Sequence, residues 1–155
     1  FNNFSEQEWN NEINVSLKGS FFMTKHLINH LVNNKNGKII NISSDMGIIA
    51  PNQNIYKKSY HKPVVYSVSK HGLIGFTKYL ASTYGKNGIT CNSLSPGGIF
   101  NNQDSNFVNK NKKLNPIGRM AKLSDLEEPI LFLISEKNKY LNGANIVVDG
   151  GRTIW

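Results

Sequence analysis

The sequence has very little of what secreted and membrane-spanning proteins usually contain. It holds a single cysteine, Cys91, so no internal disulfide can form, and we interpret that residue as a small buried strand residue. No apolar run approaches the roughly 18 to 20 residues that span a bilayer, and the N-terminal FNNFSEQEWNNE does not resemble a signal peptide. We therefore expect a cytoplasmic protein that has no membrane partner.

Acidic residues are scarce relative to basic ones, since 10 Asp and Glu stand against 18 Lys and Arg, for a net charge of +8. Such a balance raises the question of a nucleic-acid partner. The lysines are spread along the chain beside many asparagines, and the densest cluster, Lys110, Lys112 and Lys113, has no interleaved aromatic residues. We therefore expect no nucleic acid among the partners, and keep a basic nucleic-acid binder as an alternative hypothesis.

Apolar spacing and turn residues indicate how the first half of the chain is organised. Apolar positions recur at helical spacing across residues 5–32, and Ser5 with Glu8 fits a capping box at the start of that helix. The β-branched run KIINISS then predicts a buried strand that ends near Ser43 and Ser44.

The second half continues the alternation. Residues 45–63 predict a loop, and a helix is expected from about Pro63 to Tyr84. The run ITCNSLS predicts a strand, and the Asn-rich stretch 100–114 is expected to be loose and mobile. Ser124 is a candidate N-cap for a further helix, after which NIVVDGG predicts a last strand.

The order helix, strand, helix, strand, helix, strand predicts an α/β fold. Right-handed crossovers between such strands give a doubly wound parallel sheet with helices on both faces. A chain of 155 residues with ordinary apolar content is expected to form a single domain, residues 1–155. Ligands bind beyond the carboxyl ends of parallel strands, so we expect a site near Ser43, Ser44 and residues 96–101.

The pair Tyr66 and Lys70 in VVYSVSKHG is the first chemical signal in the chain. Residues four apart share one helix face, so an ammonium group can approach the phenol. A free tyrosine has a pKa of about 10, and a nearby cation lowers that pKa by favouring the phenolate. The same pair also occurs by chance on many helices, so its neighbours in the sequence decide its meaning.

Those neighbours resemble the short-chain dehydrogenase/reductase family over nearly the whole chain. The matching segments, in order, are INVSLKGSFFMTK, GKIINISSDMG, YSVSK, GITCNSLSPGGI and a final VDGG. The resemblance implies the C-terminal part of a Rossmann-like domain, with about three of its strands and their flanking helices. The Gly-rich nucleotide-binding half of that domain precedes this part in the family and is not in the sequence. We expect the 155-residue chain by itself to be inactive.

The resemblance also implies roles for four residues. Tyr66 would exchange a proton with the substrate oxygen, and Lys70 would lower the pKa of Tyr66 and hold the cofactor ribose. Ser44 would hydrogen-bond the same substrate oxygen. Asn14 would hold a water molecule that links Lys70 to solvent.

A nicotinamide cofactor, NAD or NADP, follows from the same resemblance, and no metal is expected. Asn101 stands where the family usually has a threonine, and an amide can donate and accept hydrogen bonds in a similar way. The residues implied in cofactor binding are Tyr66, Lys70, Pro96, Gly97, Ile99 and Asn101.

The loop between Ser44 and Tyr66 bears on the substrate, since these two residues are 22 positions apart and many family members space them more closely. Its sequence is similar to that of reductases associated with sugar modification, including flagellin-glycan enzymes. Tyr56, Tyr60 and His61 are therefore candidate substrate contacts, although a solvated loop is the simpler interpretation of each.

Together these patterns predict an NAD(P)-dependent oxidoreductase that transfers a hydride between nicotinamide and a secondary alcohol or ketone, with a sugar derivative as one candidate. A 3-oxoacyl-thioester reductase of the same family is an alternative. A non-catalytic remnant or interaction module is another. The family's pairing of helices implies a homo-oligomer, a dimer or tetramer, in the full-length form.

Overall fold

A parallel three-stranded sheet forms the centre of the molecule, in a computed structural model that describes residues 3–155. The order across the sheet is β1-β2-β3, and each crossover between strands contains a helix. The α/β, Rossmann-like architecture predicted from the sequence is confirmed. The strands are β1 (Lys38–Ile42), β2 (Thr90–Pro96) and β3 (Asn145–Val148).

The first helical region begins as predicted, with both hydrogen bonds of a capping box. Ser5 Oγ accepts from the backbone N–H of Glu8, and the Glu8 carboxylate accepts from the backbone N–H of Ser5 at 2.8 Å. The expected single helix is interrupted by a wide π-turn, in which the N–H of Gly19 donates to the carbonyl of Asn14. The segments are α1 (Glu6–Ile13), the π-turn (Asn14–Lys18) and α2 (Gly19–Asn34).

The long helix α3 (Val64–Tyr84) follows Pro63, as the sequence predicted. It packs against β1 and β2. In that contact the side-chain amide of Asn41 on β1 donates to the Thr77 hydroxyl at 2.9 Å. This bond and the apolar contacts around it hold the middle of α3 against the sheet. The buried residues of α3 are Val65, Ser69, Leu73, Thr77, Leu80 and Ala81.

The Asn-rich stretch 100–114 was expected to be loose, and this prediction was wrong. It contains helix α4 (Ser105–Lys112). The Asp104 carboxylate caps the helix by accepting from the backbone N–H groups of Asn106 and Phe107. Asparagine has a low helix propensity, so its abundance favoured a loop. The Asp104 cap offsets that propensity by binding backbone N–H groups that the helix itself leaves unpaired.

Ser124 does not cap the next helix, contrary to the sequence prediction. It lies inside a 3₁₀ turn, Leu123–Leu126, that leads into α5 (Glu127–Ile134). The neighbouring Asp125 stabilises the start of that 3₁₀ turn, because its carboxylate accepts from the backbone N–H of Lys122 at 2.7 Å. The same carboxylate is also bound by the guanidinium of Arg119.

Cys91 lies at the centre of the core and is fully buried, as interpreted from the sequence. Burial raises the pKa of its thiol to about 12. At the edge of the sheet, β1 pairs only with β2 among the strands between residues 3 and 155, so its other side is open. No helix in this described range is long and apolar enough to cross a membrane.

Candidate active site

A cavity of about 390 Å³ opens at the carboxyl ends of β1 and β2, where a parallel sheet places its ligand site. Its walls come from the residues after β1, the first turns of α3, one face of α4 and the segment after β2. The cavity brings together three of the four residues to which the sequence assigned catalytic roles, namely Ser44, Tyr66 and Lys70.

Ser44 is positioned by the sharp turn that follows β1. It is buried, and its hydroxyl accepts from the backbone N–H of Met46 at 3.2 Å and donates to the Asp45 carboxylate at 2.7 Å. The same hydroxyl lies close enough to the phenol of Tyr66 to lower the pKa of that phenol. Ser44 therefore lies where one oxygen atom of a ligand can contact both hydroxyls.

Tyr66 has a pKa above its ordinary value in this structure. Burial is the main cause, Asp45 and Glu12 act in the same direction, and the hydrogen bond from Ser44 opposes them. The prediction that Lys70 lowers this pKa is not met, because the Lys70 ammonium lies 5.5 Å from the ring centroid and donates to the Ile42 carbonyl instead. The surrounding residues thus favour the neutral phenol over the phenolate.

Lys70 is fixed by contacts at both ends of the residue. Its ammonium donates to the Ile42 carbonyl at 3.1 Å, and its own carbonyl accepts from the Ser43 hydroxyl at 2.8 Å. Burial lowers the pKa of Lys70, and Glu12 partly opposes that effect. Ser43, a weaker catalytic candidate from the sequence, thus joins α3 to the end of β1. Gly47 makes the close approach possible, since a Cβ there would lie 2.9 Å from the Lys70 carbonyl oxygen.

Asn14 lies apart from this group. Its side chain is exposed at the start of the π-turn and does not line the cavity. Within residues 3–155 it makes no hydrogen bond to Lys70. The polar contact between α1 and α3 is made instead by Glu12, whose carboxylate accepts from Ser69 at 3.0 Å. The role of Asn14 therefore stays a prediction.

Five of the six residues implied in cofactor binding line the cavity, and Asn101 does not. Asn101 is exposed, and its backbone N–H donates to the side chain of Gln103 at 2.7 Å. The backbone at Gly97 forms part of the cavity wall and passes close to Asp149, the residue after β3. A Cβ at position 97 would lie 2.9 Å from the Asp149 Cα, so only glycine fits. This glycine wall and the neighbouring ammonium of Lys70 fit the flat ring and ribose hydroxyls of a nicotinamide nucleoside. The five residues are Tyr66, Lys70, Pro96, Gly97 and Ile99.

Sequence reasoning missed three charged residues of the cavity. Asp45 and Arg152 form a buried ion pair, with 3.2 Å between Oδ2 and Nε, and Lys62 places its ammonium 3.7 Å from the Tyr66 ring centroid. Two of them had a local signal, because Asp45 directly follows Ser44 and Lys62 lies four residues before Tyr66. Arg152 had none beyond its position after VDGG.

The loop residues suggested as substrate contacts divide into two groups. Tyr56 is half-buried in the cavity wall, where burial raises the pKa of its phenol to about 12. Tyr60 and His61 are exposed and do not line this cavity. In the part of the chain that the structure describes, no cluster of three His, Cys, Asp or Glu side chains could hold a metal ion.

The fold and the site together define a Rossmann-like α/β protein whose ligand cavity is lined by a serine, a tyrosine and a lysine. A family model described as enoyl-(acyl carrier protein) reductase matches residues 1–153. A crystal structure of a short-chain dehydrogenase from Leptospira borgpetersenii with bound NAD⁺ is 37% identical, with a TM-score of 0.93, over 99% of this chain and 59% of that one. The chain belongs to the short-chain dehydrogenase/reductase family.

Two curated relatives show the range of activities in proteins similar to this chain. The 3-oxoacyl-(acyl carrier protein) reductase FabG of Buchnera aphidicola is 36% identical over 96% of this chain and 59% of the relative. The 2-dehydro-3-deoxy-D-gluconate 5-dehydrogenase of Escherichia coli is 33% identical over 96% of this chain and 58% of the relative. The chain thus spans less than two thirds of the length of the relatives it matches.

Proposed function

We propose that the protein carrying this chain is an NAD(P)-dependent oxidoreductase that transfers a hydride between nicotinamide and a secondary alcohol or ketone. The observation that carries the proposal is the convergence of Ser44, Tyr66 and Lys70 on one cavity beside the glycine wall at Gly97. Membership of the family and the NAD⁺ bound by the Leptospira relative support it.

Each residue has a defined part in this chemistry. When bound, the cofactor supplies or accepts the hydride at nicotinamide C4. Ser44 donates a hydrogen bond to the substrate oxygen after releasing Asp45, and so stabilises the charge that develops there. Tyr66 gives a proton to that oxygen during reduction and takes one during oxidation. Lys70 holds the ribose hydroxyls, and Asn14 binds the water through which Lys70 exchanges protons.

The cofactor is NAD or NADP in this proposal. The Leptospira relative was solved with NAD⁺, and a gluconate 5-dehydrogenase from Burkholderia cenocepacia, 26% identical, was solved with NADP and tartrate. Pro96, Gly97 and Ile99 form the wall against which the nicotinamide ring would lie. The exposed Asn101 would have to turn inward to contribute.

For the substrate we favour a sugar derivative over a 3-oxoacyl thioester. The cavity wall carries polar groups from Tyr56, Lys62 and Gln103, which suit a polyol or sugar acid. The name of the Escherichia coli relative supports this class, and the name of the Buchnera relative supports the acyl alternative. Flagellin-glycan modification is retained as one setting for such a substrate.

We further propose a homo-oligomer. Helix α2 exposes Phe21, Phe22 and Met23, and α3 exposes Val68, which leaves apolar surface on adjacent helices for a second copy to cover. Inactivity of the isolated chain and a cytoplasmic location stay predictions from the sequence.

A turnover assay tests the proposed function. The protein as its gene encodes it would be mixed with NADH or NADPH and a panel of keto-sugar acids and 3-oxoacyl thioesters, and oxidation of the nicotinamide followed by absorbance. We expect turnover with one class, and its loss in Tyr66→Phe. Binding of the cofactor without turnover of any panel member would favour an interaction module.

A further inference from the structure

Lys62 has an unusual position for a lysine, because it is half-buried inside the proposed catalytic cavity. Its ammonium lies 3.7 Å from the centroid of the Tyr66 ring, closer than the 5.5 Å of Lys70. Lys62 and Lys70 therefore lie on either side of the tyrosine in the sequence, four residues before it and four residues after it. Lysine is rarely placed below the surface unless its charge has a partner.

The backbone of Lys62 is held in place by one side chain. The Gln53 amide oxygen accepts from the Lys62 N–H at 2.9 Å, and the Gln53 amide nitrogen donates to the Lys62 carbonyl at 3.2 Å. The next residue, Pro63, caps α3 with an extended backbone. The lysine is thus presented to the cavity from a fixed backbone rather than from a free loop.

Apart from the face of the Tyr66 ring, the positive charge of Lys62 has no close counterpart in the cavity. From residue 3 to residue 155, no carboxylate lies within 4.0 Å of its ammonium, since the three ion pairs of this range involve other cations. Asp45, the acidic group of the cavity wall, is paired with Arg152. Burial has the largest effect on the pKa of Lys62 and lowers it. Glu12 and Asp45 lie near enough to raise that pKa, and Lys70 lowers it further.

An ammonium that is partly desolvated, faces a cavity and has no carboxylate partner is stabilised when an anion binds beside it. We propose that Lys62 binds an anionic group, a carboxylate or a phosphate, on the substrate and so determines specificity. The inference rests on the proposed function, because the substrate of that function occupies this cavity. A lysine suits either anion, since it acts as a point charge with three donors rather than as a planar fork.

The test uses three compounds on one carbon skeleton: glucitol, which is neutral, gluconate, which carries a carboxylate, and glucitol 6-phosphate. Calorimetric titration into the protein as its gene encodes it, with and without NADPH, gives the three affinities. We expect at least one anion to bind about tenfold or more tightly than glucitol. Whichever anion shows that preference distinguishes carboxylate from phosphate recognition.

Variants then assign the preference to Lys62. Lys62→Gln is expected to remove the preference of the anions over glucitol, and Lys62→Arg is expected to keep most of it. Lys58→Gln removes an exposed lysine from the same loop and should have no effect. Because Lys62 has a lowered pKa, the preference should also decline at a lower pH than an ordinary lysine would give.

The inference would be overturned by binding of none of the compounds, by an equal affinity for glucitol and the anions, or by a preference that survives in Lys62→Gln. A weakened affinity for NADPH alone would make Lys62 a cofactor contact and would also overturn it. Turnover is measured in a separate assay that compares the wild-type protein with Tyr66→Phe, so that the proposed function and the anion site are tested independently. Anion binding through Lys62 without any turnover would therefore reject the oxidoreductase and keep the anion site.

Discussion

Arg152 Nε lies 3.2 Å from Asp45 Oδ2, and the two side chains are only 3% and 4% exposed. Asp45 also accepts from the Ser44 hydroxyl through its other oxygen. The pair therefore joins the turn after β3 to Ser44, the residue that we propose to contact the substrate oxygen.

We predict that Arg152→Met destabilises the protein by about 3 to 5 kcal/mol, because it leaves the Asp45 carboxylate buried without a counter-charge. Urea denaturation measures the effect. The double variant Asp45→Asn/Arg152→Met, which removes both charges, should recover a large part of the loss. Additive losses in the double variant would contradict this account of the ion pair.

Tyr66→Phe should lower turnover by about a hundredfold or more, since general acid–base catalysis contributes on that order. The ring and its packing are retained, so cofactor affinity should change little. Steady-state rates and a fluorescence titration with NADH separate the two effects. Tyr60→Phe, which changes an exposed tyrosine outside the cavity, is the matched control. If Tyr60→Phe lowered turnover as much as Tyr66→Phe, the assignment of Tyr66 as the proton donor would be wrong.

Cys91 should make stability depend on alkaline pH. Its folded-state pKa of about 12 exceeds the ordinary thiol value of 9.0, because burial disfavours the thiolate. The folded state keeps its proton when the unfolded state has lost it, so stability is full below about pH 9 and falls as pH rises toward 12. The slope from this group reaches at most about 1.4 kcal/mol per pH unit.

Cys91→Ser removes the titrating group and keeps a similar size. The difference in unfolding free energy between wild type and this variant should therefore shrink as pH rises from 8 to 10, in urea titrations at each pH. A constant difference would show that Cys91 does not retain its proton in the fold.

Gly97→Ala should destabilise the protein by about 1 to 3 kcal/mol and weaken cofactor binding, because the new Cβ meets the Asp149 backbone at 2.9 Å. Gly75→Ala is the internal contrast, since nothing lies within 4 Å of its Cβ position on α3. That change should stabilise by about 0.5 to 1 kcal/mol through helix propensity. Thermal denaturation of both variants checks the opposite signs.

Local pattern predicted most of the fold and failed where capping decided the outcome. The Ser5–Glu8 capping box, the start of α3 after Pro63 and the three strands follow from residues adjacent in sequence. Helix α4 was missed because its cap, Asp104, outweighs an asparagine-rich composition. The π-turn at Asn14 was missed because one wide turn inside a helical segment has no residue signal of its own in this sequence.

The sequence by itself determined the parallel α/β architecture and the pairing of Tyr66 with Lys70, because strand pattern and i, i+4 spacing are local properties. The resemblance to the short-chain dehydrogenase/reductase family added Ser44 to that pair. Only the tertiary structure decided the electrostatics of the cavity. Asp45 and Arg152 meet there although they are far apart in the sequence, and because both are buried neither charge can lose its partner without a large cost. Burial of the phenol also raises the pKa of Tyr66, although Lys70 is a neighbour. Desolvation depends on all the atoms that exclude water from a group, and the spacing of residues in the sequence does not reveal those atoms.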